Sequence, residues 1–486
     1  MPQAAKRILL PQLTVTEVAH ADDPGAIRVP LPEMAQDPAY YIRPKRSEDG
    51  SARVDGKPAW KGARFNLFPL VLDGAGIPWA EACTFLLFRL ENDISPTMTT
   101  YASLADDLAA YRRYLDEFGV DWLHFPSHKL SRPTYRYNGH LKLAVAAGEI
   151  ASTTAKRRMG AVIRFYSWLL EEAVFQPEHP TWKASDRLVD FKDAAGFSTV
   201  KKVTTTDVAI SAPKEIDPYS GYIDDDGKLR PLPEEEQRWL LEALAAHGNT
   251  EMTLIHLFGL LTGARIQTIL TFRVRHVRPE VSSVTSVELR LPVGPGTGID
   301  TKNDTPLVLH IPHWFYEKLR TYAFSERARR RRKRAKGGDT DEQYLFLSVR
   351  GAPFYRSKAD AAVFDETNKA RHPKVGQSVR QFMTEKVIPY VQAHYCPGFH
   401  YRFHDTRASY GMNLTDHQLR RVALGETTLS AVREFVRVRM GHKSSATTDL
   451  YLGYRDNLAQ ARAASEAYES RLRSLAEKAM LGSKAG

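Results

Sequence analysis

The chain has 486 residues, 43% hydrophobic and 10% aromatic, which is enough for two to four domains with real cores and excludes a disordered chain. Its formal net charge of +11 points to a polyanionic partner, nucleic acid above all, with a basic protein lacking any such partner as the plainer reading. Two distant cysteines, Cys83 and Cys396, argue against a disulfide framework and a cysteine-rich zinc site, and no run of about 18 apolar residues is present to span a membrane.

The opening MPQAAKRILLPQ has one short apolar patch broken by Pro11 and does not read as a signal peptide, so a cytoplasmic chain with reduced cysteines is expected. Residues 1–75 are rich in Pro, Asp and Gly; they read as an N-terminal extension or arm, with RPKRSEDGSARVDGKPAWKGAR as loop. A helical region is expected over 76–178. Tyr101, Leu104, Leu108, Tyr111, Leu115 and Phe118 recur at helical spacing and define one helix face. A second helix runs over 153–174, with Met159, Val162, Ile163, Tyr166, Leu169, Leu170 and Val174 as its apolar face. Lys156, Arg157 and Arg158 decorate its start, either as a DNA-binding cluster or as a solvated face.

Residues 179–232, with PKEIDPYSGYIDDDGKLRPLP, read as a linker. Pro233 and Glu234–Glu236 start a helix that Gly248 ends, so a new domain is placed over 233–455. Within it a helix near 251–261 leads into TGAR, and SVELRLPV and LVLHIP read as two strands joined by a turn. A helix from 313, a short strand YLFLS and helices near 375–393, 405–416 and 428–440 follow. The run ERARRRRKRAKGG, 326–338, reads as a solvated loop with incidental DNA contact, and 456–486 as a C-terminal helical tail. The fold class is mostly α with a small β-sheet, α+β.

Six residues carry the chemistry: Arg265 in TGARIQTIL, Lys302 in DTKNDTP, His404 and Arg407 in FHDTRAS, and His442 and Tyr451 in MGHKSSATTDLY. A phosphodiester resists nucleophiles, and its transition state needs fixed positive charge where negative charge grows. Guanidinium groups supply that charge as a planar fork. HxxR puts His404 and Arg407 on one helix face. A tyrosine has a phenol of pKa about 10 and needs such neighbours to act as a nucleophile. Tyr454, three residues after Tyr451, is a competing nucleophile. His400 and His404 have a metal-ligand spacing, but no carboxylate cluster supports them, so neither a metal nor a cofactor is expected. No phosphate-binding P-loop is present.

In identity and order this set resembles the catalytic signature of the tyrosine recombinases, the phage-type integrases. The resemblance is close over 233–455, loose over 95–178 and nearly absent before residue 75. It implies a helical core-binding domain that clamps DNA, followed by a catalytic domain. It implies that Tyr451 attacks the scissile phosphate, that Arg265, Arg407, His404 and His442 hold it, and that Lys302 protonates the leaving 5′ oxygen. The implied function is site-specific recombination of a mobile element through a 3′-phosphotyrosine. The implied partners are double-stranded DNA, a homo-tetramer on two duplexes and accessory DNA-bending proteins, in a cytoplasmic, nucleoid-associated setting. A type IB topoisomerase and an inactive architectural DNA-binding protein are the alternatives. Two departures stand out. Thr268 takes a position where many members carry an acid, with Gln267 or Asp405 as candidates to compensate. The 38-residue interval from His404 to His442 is long, and LRRVALGETTLS reads as an insertion.

Overall fold

The computed structural model describes residues 4–15, 18–19, 22, 27–30, 39–42, 53–54, 57–58, 64–93, 96–192, 198–212, 217, 219–279 and 287–482. Most of the polar stretch 43–64 therefore lies outside the described residues. The chain divides into two compact units, residues 1–214 with 358–373, and residues 215–357 with 374–486.

The first unit is built on four helices: α1 (Ala80–Glu91), α2 (Met98–Glu117), α3 (Pro133–Ala146) and α4 (Ser152–Glu171). α2 buries Tyr101, Leu104, Leu108, Tyr111 and Leu115 at spacings of three and four, the stripe expected from its sequence. Phe118 caps that helix and is exposed. α4 buries Ala155, Met159, Val162, Phe165, Tyr166 and Leu169, while Leu170 and Val174 are exposed. Its inward face therefore turns toward Phe165 rather than Ile163, and the helix ends before Val174. The buried phenols of Tyr111 and Tyr166 bond each other at 2.8 Å, and Tyr166 also reaches the Trp122 carbonyl at 2.7 Å. A strand over Lys6–Leu10 pairs antiparallel with Phe68–Leu72, and Phe68 and Val71 enter the same core. The stretch expected to be a linker holds ordered hairpins. Ala184–Lys192 pairs with Ser198–Thr206, and Ile223–Asp224 with Lys228–Leu229.

The second unit begins at Glu215 and so takes in the second of these hairpins. Three glutamates open α5 (Glu234–Ala246), where carboxylates suit the positive end of a helix. α6 (Thr250–Thr262) starts at Asn249, whose side chain accepts from the Met252 amide, and stops at Gly263 with φ of 65°. α7 (Ile266–Leu270) follows, then an antiparallel pair, Glu288–Val293 with Leu307–Pro312, as expected. Next come α8 (His313–Phe324) and α9 (Glu326–Arg334), whereas the short α10 (Lys358–Ala362) that follows in the chain belongs to the first unit. α11 (Gln377–Phe382) runs through a π turn over Met383–Val387 into α12 (Ile388–His394), whose Pro389 has no amide hydrogen to donate. α13 (Asp405–Ala423), α14 (Leu429–Met440) and α15 (Ser445–Gly482) complete the chain. The described sheets are small, and the fold is mostly α.

Three expectations are corrected here. YLFLS makes only isolated bridges, Tyr344 with Arg273 and Leu347 with Pro353, because Leu345, Phe346 and Leu347 are buried as core rather than laddered. The helix expected over 405–416 runs on to Ala423, so the first part of LRRVALGETTLS lies on α13 rather than between helices. The basic run is a helix, not a solvated loop. Arg327 grips the buried Glu251 through two bonds of 2.8 and 2.7 Å, Arg331 adds a contact of 2.9 Å, and Arg332 pairs with Asp339 at 2.5 Å. These arginines satisfy a buried acid and the carbonyls of Leu347 and Ala323.

His256 lies fully buried in α6, with Nδ1 against the Met252 carbonyl at 2.7 Å and Nε2 against the Tyr401 hydroxyl at 3.0 Å. Burial pushes its pKa down from 6.5 to about 4. The folded state therefore disfavours the proton, and the stability it contributes is present above pH 6.5 and lost as the pH falls through 4. The loss should approach about 3 kcal/mol well below that point. Urea midpoints measured between pH 7 and 4 should fall in the wild type and fall less in His256→Gln. An equal slope in both would remove His256 as the cause.

Candidate active site

The second unit brings the six chemically distinctive residues together by close helix crossing. α6 and α13 pass each other at Gly259, where an added Cβ would lie 2.6 Å from Thr406 Oγ1. That crossing sets the end of α6, and so Arg265, beside the start of α13, which carries His404 and Arg407. Gly263 makes the turn with its positive φ, and a Cβ there would meet the Tyr410 ring at 2.6 Å. Gly441 ends α14 in the same left-handed way and delivers His442. Tyr451 lies in the second turn of α15, against Gly411 of α13, where a Cβ would also crowd Met440 Cε at 2.9 Å. Lys302 sits in the turn between the paired strands. That turn is tied to α7, since Thr268 Oγ1 donates to the Asp300 carbonyl at 2.8 Å and the Asp300 amide donates to Thr271 Oγ1 at 2.9 Å. Thr268, standing where an acid is common, thus fastens the lysine turn.

Arg407 is buried, and its guanidinium is fixed by the carbonyls of Gly263 at 3.0 Å and Met440 at 2.7 Å. This leaves Nε free to face a third partner, the Asp225 carboxylate, at 2.9 Å. The same Asp225 oxygen lies 3.3 Å from His442 Nε2 and accepts the Tyr451 hydroxyl at 3.0 Å. His442 Nδ1 is 2.9 Å from Thr448 Oγ1, which orients the ring. The neighbouring Asp226 pairs with Arg265 and, at 3.1 Å, with Lys302 Nζ. Arg265 Nε is buried with no hydrogen-bond partner among the described residues.

Electrostatics follow from this crowding. Burial acts to raise the Asp225 pKa, but the His442 hydrogen bond and the Arg407 charge outweigh it and hold the carboxyl far below its usual range. Burial, then the Asp225 charge, raises the Tyr451 phenol well above 10, so the hydroxyl is protonated here. His404 is pushed down to about 4 by burial and by the charges of Arg407 and Arg265, so it is neutral near pH 7. Burial, then Arg407, lowers the pKa of Arg265.

The sequence reading missed Asp225 and Asp226. Their one signal was the acid run IDDDGK, which reads as turn composition. Asp405, a candidate to stand in for the acid absent at Thr268, instead accepts backbone amides from Arg230 at 3.0 Å and Arg402 at 2.7 Å. Among the described residues the Gln267 side chain makes no hydrogen bond to this cluster. Tyr454, the competing nucleophile, gives its hydroxyl to the Gly221 carbonyl at 3.0 Å. Lys156, Arg157 and Arg158 belong to the other unit. There Lys156 is exposed, while Arg157 pairs with the buried Asp107 at 2.6 Å and with Ser103 at 3.0 Å. Among the described residues no group of three His, Cys, Asp or Glu is placed to hold a metal ion, and no helix is long and apolar enough to cross a membrane.

No family profile matches this chain, and no curated protein does. Several solved structures do. One is the XerH site-specific recombinase bound to difH substrate in a pre-cleavage complex, at 13% identity over 75% of this chain and 78% of that one, with a TM-score of 0.39. Another is a lambda integrase dimer bound to a COC′ core site, at 12% identity over 76% and 95%, with a TM-score of 0.40. A third is the Tn1549 transposon integrase in complex with transposon right-end DNA, at 15% identity over 79% and 99%, with a TM-score of 0.39. At such values the functional reading rests on the geometry of the site itself.

Proposed function

We propose that this chain is a tyrosine-type site-specific DNA recombinase, an integrase of a mobile element. The observation that carries the reading is the convergence of Arg265, Lys302, Arg407, His442 and Tyr451 on one pair of adjacent carboxylates. Those carboxylate oxygens stand in for the non-bridging oxygens of a scissile phosphate. With DNA in that seat, the Tyr451 oxygen attacks phosphorus as its phenol proton passes to a site histidine, and the bond to the 5′ oxygen breaks. Arg265 and Arg407 neutralise the pentacoordinate centre, and His404 and His442 hold it by hydrogen bonds. Lys302 gives the departing oxygen its proton. The free 5′-hydroxyl of a partner duplex then attacks the phosphotyrosine and releases the enzyme. Four protomers on two duplexes would exchange strands this way, with Lys156, Arg157 and Arg158 contacting the duplex and accessory DNA-bending proteins assisting.

The test uses duplexes made from the sequence on either side of the gene. Strand exchange through a Tyr451-linked adduct supports the reading. An adduct that only relaxes supercoils, without exchange, replaces it with a topoisomerase; binding with no adduct replaces it with an architectural protein.

The role of Lys302 has its own test. Lys302→Ala should slow cleavage of ordinary DNA far more than cleavage of DNA with a bridging 5′-sulfur, because a thiolate leaves without a proton. General acid catalysis contributes on the order of 10²–10⁴-fold, and that difference should vanish with sulfur. Equal slowing of both substrates would make Lys302 a phosphate holder and turn attention to His442.

A further inference from the structure

The turn Asp225-Asp226-Gly227 belongs to neither the recombinase signature nor the helical scaffold, yet it takes five of the six site residues for itself. One Asp225 oxygen meets Arg407 at 2.9 Å, His442 at 3.3 Å and the Tyr451 hydroxyl at 3.0 Å. The two oxygens of Asp226 are divided between Arg265 and Lys302. A phosphate cannot reach these donors while the carboxylates hold them. We propose that this hairpin is an internal phosphate mimic that closes the active site until a DNA phosphodiester displaces its tip. The identity of the displacing ligand rests on the recombinase reading; the occupancy of an anion seat does not.

The flanks of the hairpin are anchored by core packing and backbone bonds, the Lys228 carbonyl by Arg402 among them, whereas its tip is held through the two carboxylates. Ile223 is buried among Met412, Val432, Val436, Met440, Tyr451 and Tyr454. On the other flank Leu229 is buried, the Arg230 amide is held by Asp405 and the Leu232 amide by Ser409 Oγ at 2.9 Å. The tip is one tight turn, with Asp226 at φ of 61° and Gly227 at φ of 134°. What holds Asp225 and Asp226 is their charge pairing with the site, which a phosphodiester can replace group for group. An alternative role, Asp225 as the base that takes the Tyr451 proton, fits poorly. A carboxylate shared among a guanidinium, an imidazole and a phenol is a weak base toward a phenol that burial keeps protonated.

The experiment compares the full chain with Asp225→Asn/Asp226→Asn, which keeps shape and removes charge. Glu234→Gln/Glu235→Gln is the control; it removes two charges from the exposed start of α5. Inorganic phosphate is titrated into each protein by calorimetry. If the plug is closed about nine-tenths of the time, the double amide should bind phosphate about tenfold more tightly than both the wild type and the control. No gain over the control overturns the proposal. Because the amide pair leaves Arg407 without its acid and could destabilise the fold, a second measurement uses the wild type alone. Backbone amide exchange over 223–229 should speed up at saturating phosphate, and unchanged exchange there overturns the proposal as well. With a nicked duplex carrying the site, the amide pair should form adduct about tenfold faster. Slower adduct formation at unchanged phosphate affinity would make Asp225 the proton acceptor and sink the plug. If phosphate binding improves while no protein forms an adduct, the plug stands and the recombinase reading falls. If the wild type forms an adduct and the amide pair gains nothing, the reverse holds.

Discussion

Tyr451→Phe is expected to abolish covalent attachment to DNA while leaving duplex binding nearly intact. The ring is fully buried against Gly411 and Met440, and phenylalanine preserves that packing. Only the hydroxyl is lost, with its single described bond to Asp225. Folding should therefore survive, while chemistry should fall by about six orders of magnitude, as removal of a nucleophile does elsewhere. The check is a nicked suicide duplex incubated with each protein and run on a denaturing gel. A retained adduct would falsify the assignment and pass the role to Tyr454, whose hydroxyl would first have to leave the Gly221 carbonyl.

Arg265→Ala and Arg407→Ala should each reduce cleavage by about 2.7–4 kcal/mol of transition-state stabilisation. The two will differ in stability. Arg407 satisfies the carbonyls of Gly263 and Met440 and neutralises Asp225, all in a buried setting. Breaking a buried pair by deleting one partner costs about 3–5 kcal/mol, so Arg407→Ala should also melt early. Arg265 has one acid partner and a side chain 20% exposed, so its substitution should spare the fold. Lysine should not rescue position 407, because one ammonium cannot hold two carbonyls and an anion along three fixed directions. Single-turnover cleavage, corrected for the folded fraction, reads both effects. Near-normal rates with lysine at both positions would rule out the fork geometry.

Local patterns told much of the fold in advance. The periodic stripes of α2 and α4, and the alternation in SVELRLPV and LVLHIP, are short-range signals of burial on one face. The six candidate residues stood out as a set, through their resemblance to the recombinase signature, because each of them alone is an ordinary residue type. What could not be read is long-range pairing. Asp225 meets Arg407 and Tyr451 across 182 and 226 residues, and nothing in IDDDGK distinguishes a carboxylate aimed at a guanidinium from one aimed at water. The basic run failed for the same reason. Its arginines look solvated until Glu251, some 76 residues earlier, is seen beneath Arg327. Stripe edges such as Phe118 and Val174 failed because a helix can end before its pattern does.

One short excursion has a consequence for the order of events during synthesis. Residues 358–373 return from the second unit to the first. There Asn66 exchanges bonds with the backbone of Asp365, at 3.0 and 2.7 Å, and Asn368 caps the Pro11 carbonyl at 2.9 Å. The first unit is thus discontinuous in the chain, and its final bonds join residues about 300 positions apart. A ribosome adding about 5–20 residues per second exposes residue 214 on the order of ten seconds before it exposes residue 365. For that interval the nascent first unit holds its helical core without its closing strap. A fragment cut at residue 214 would lack those bonds permanently.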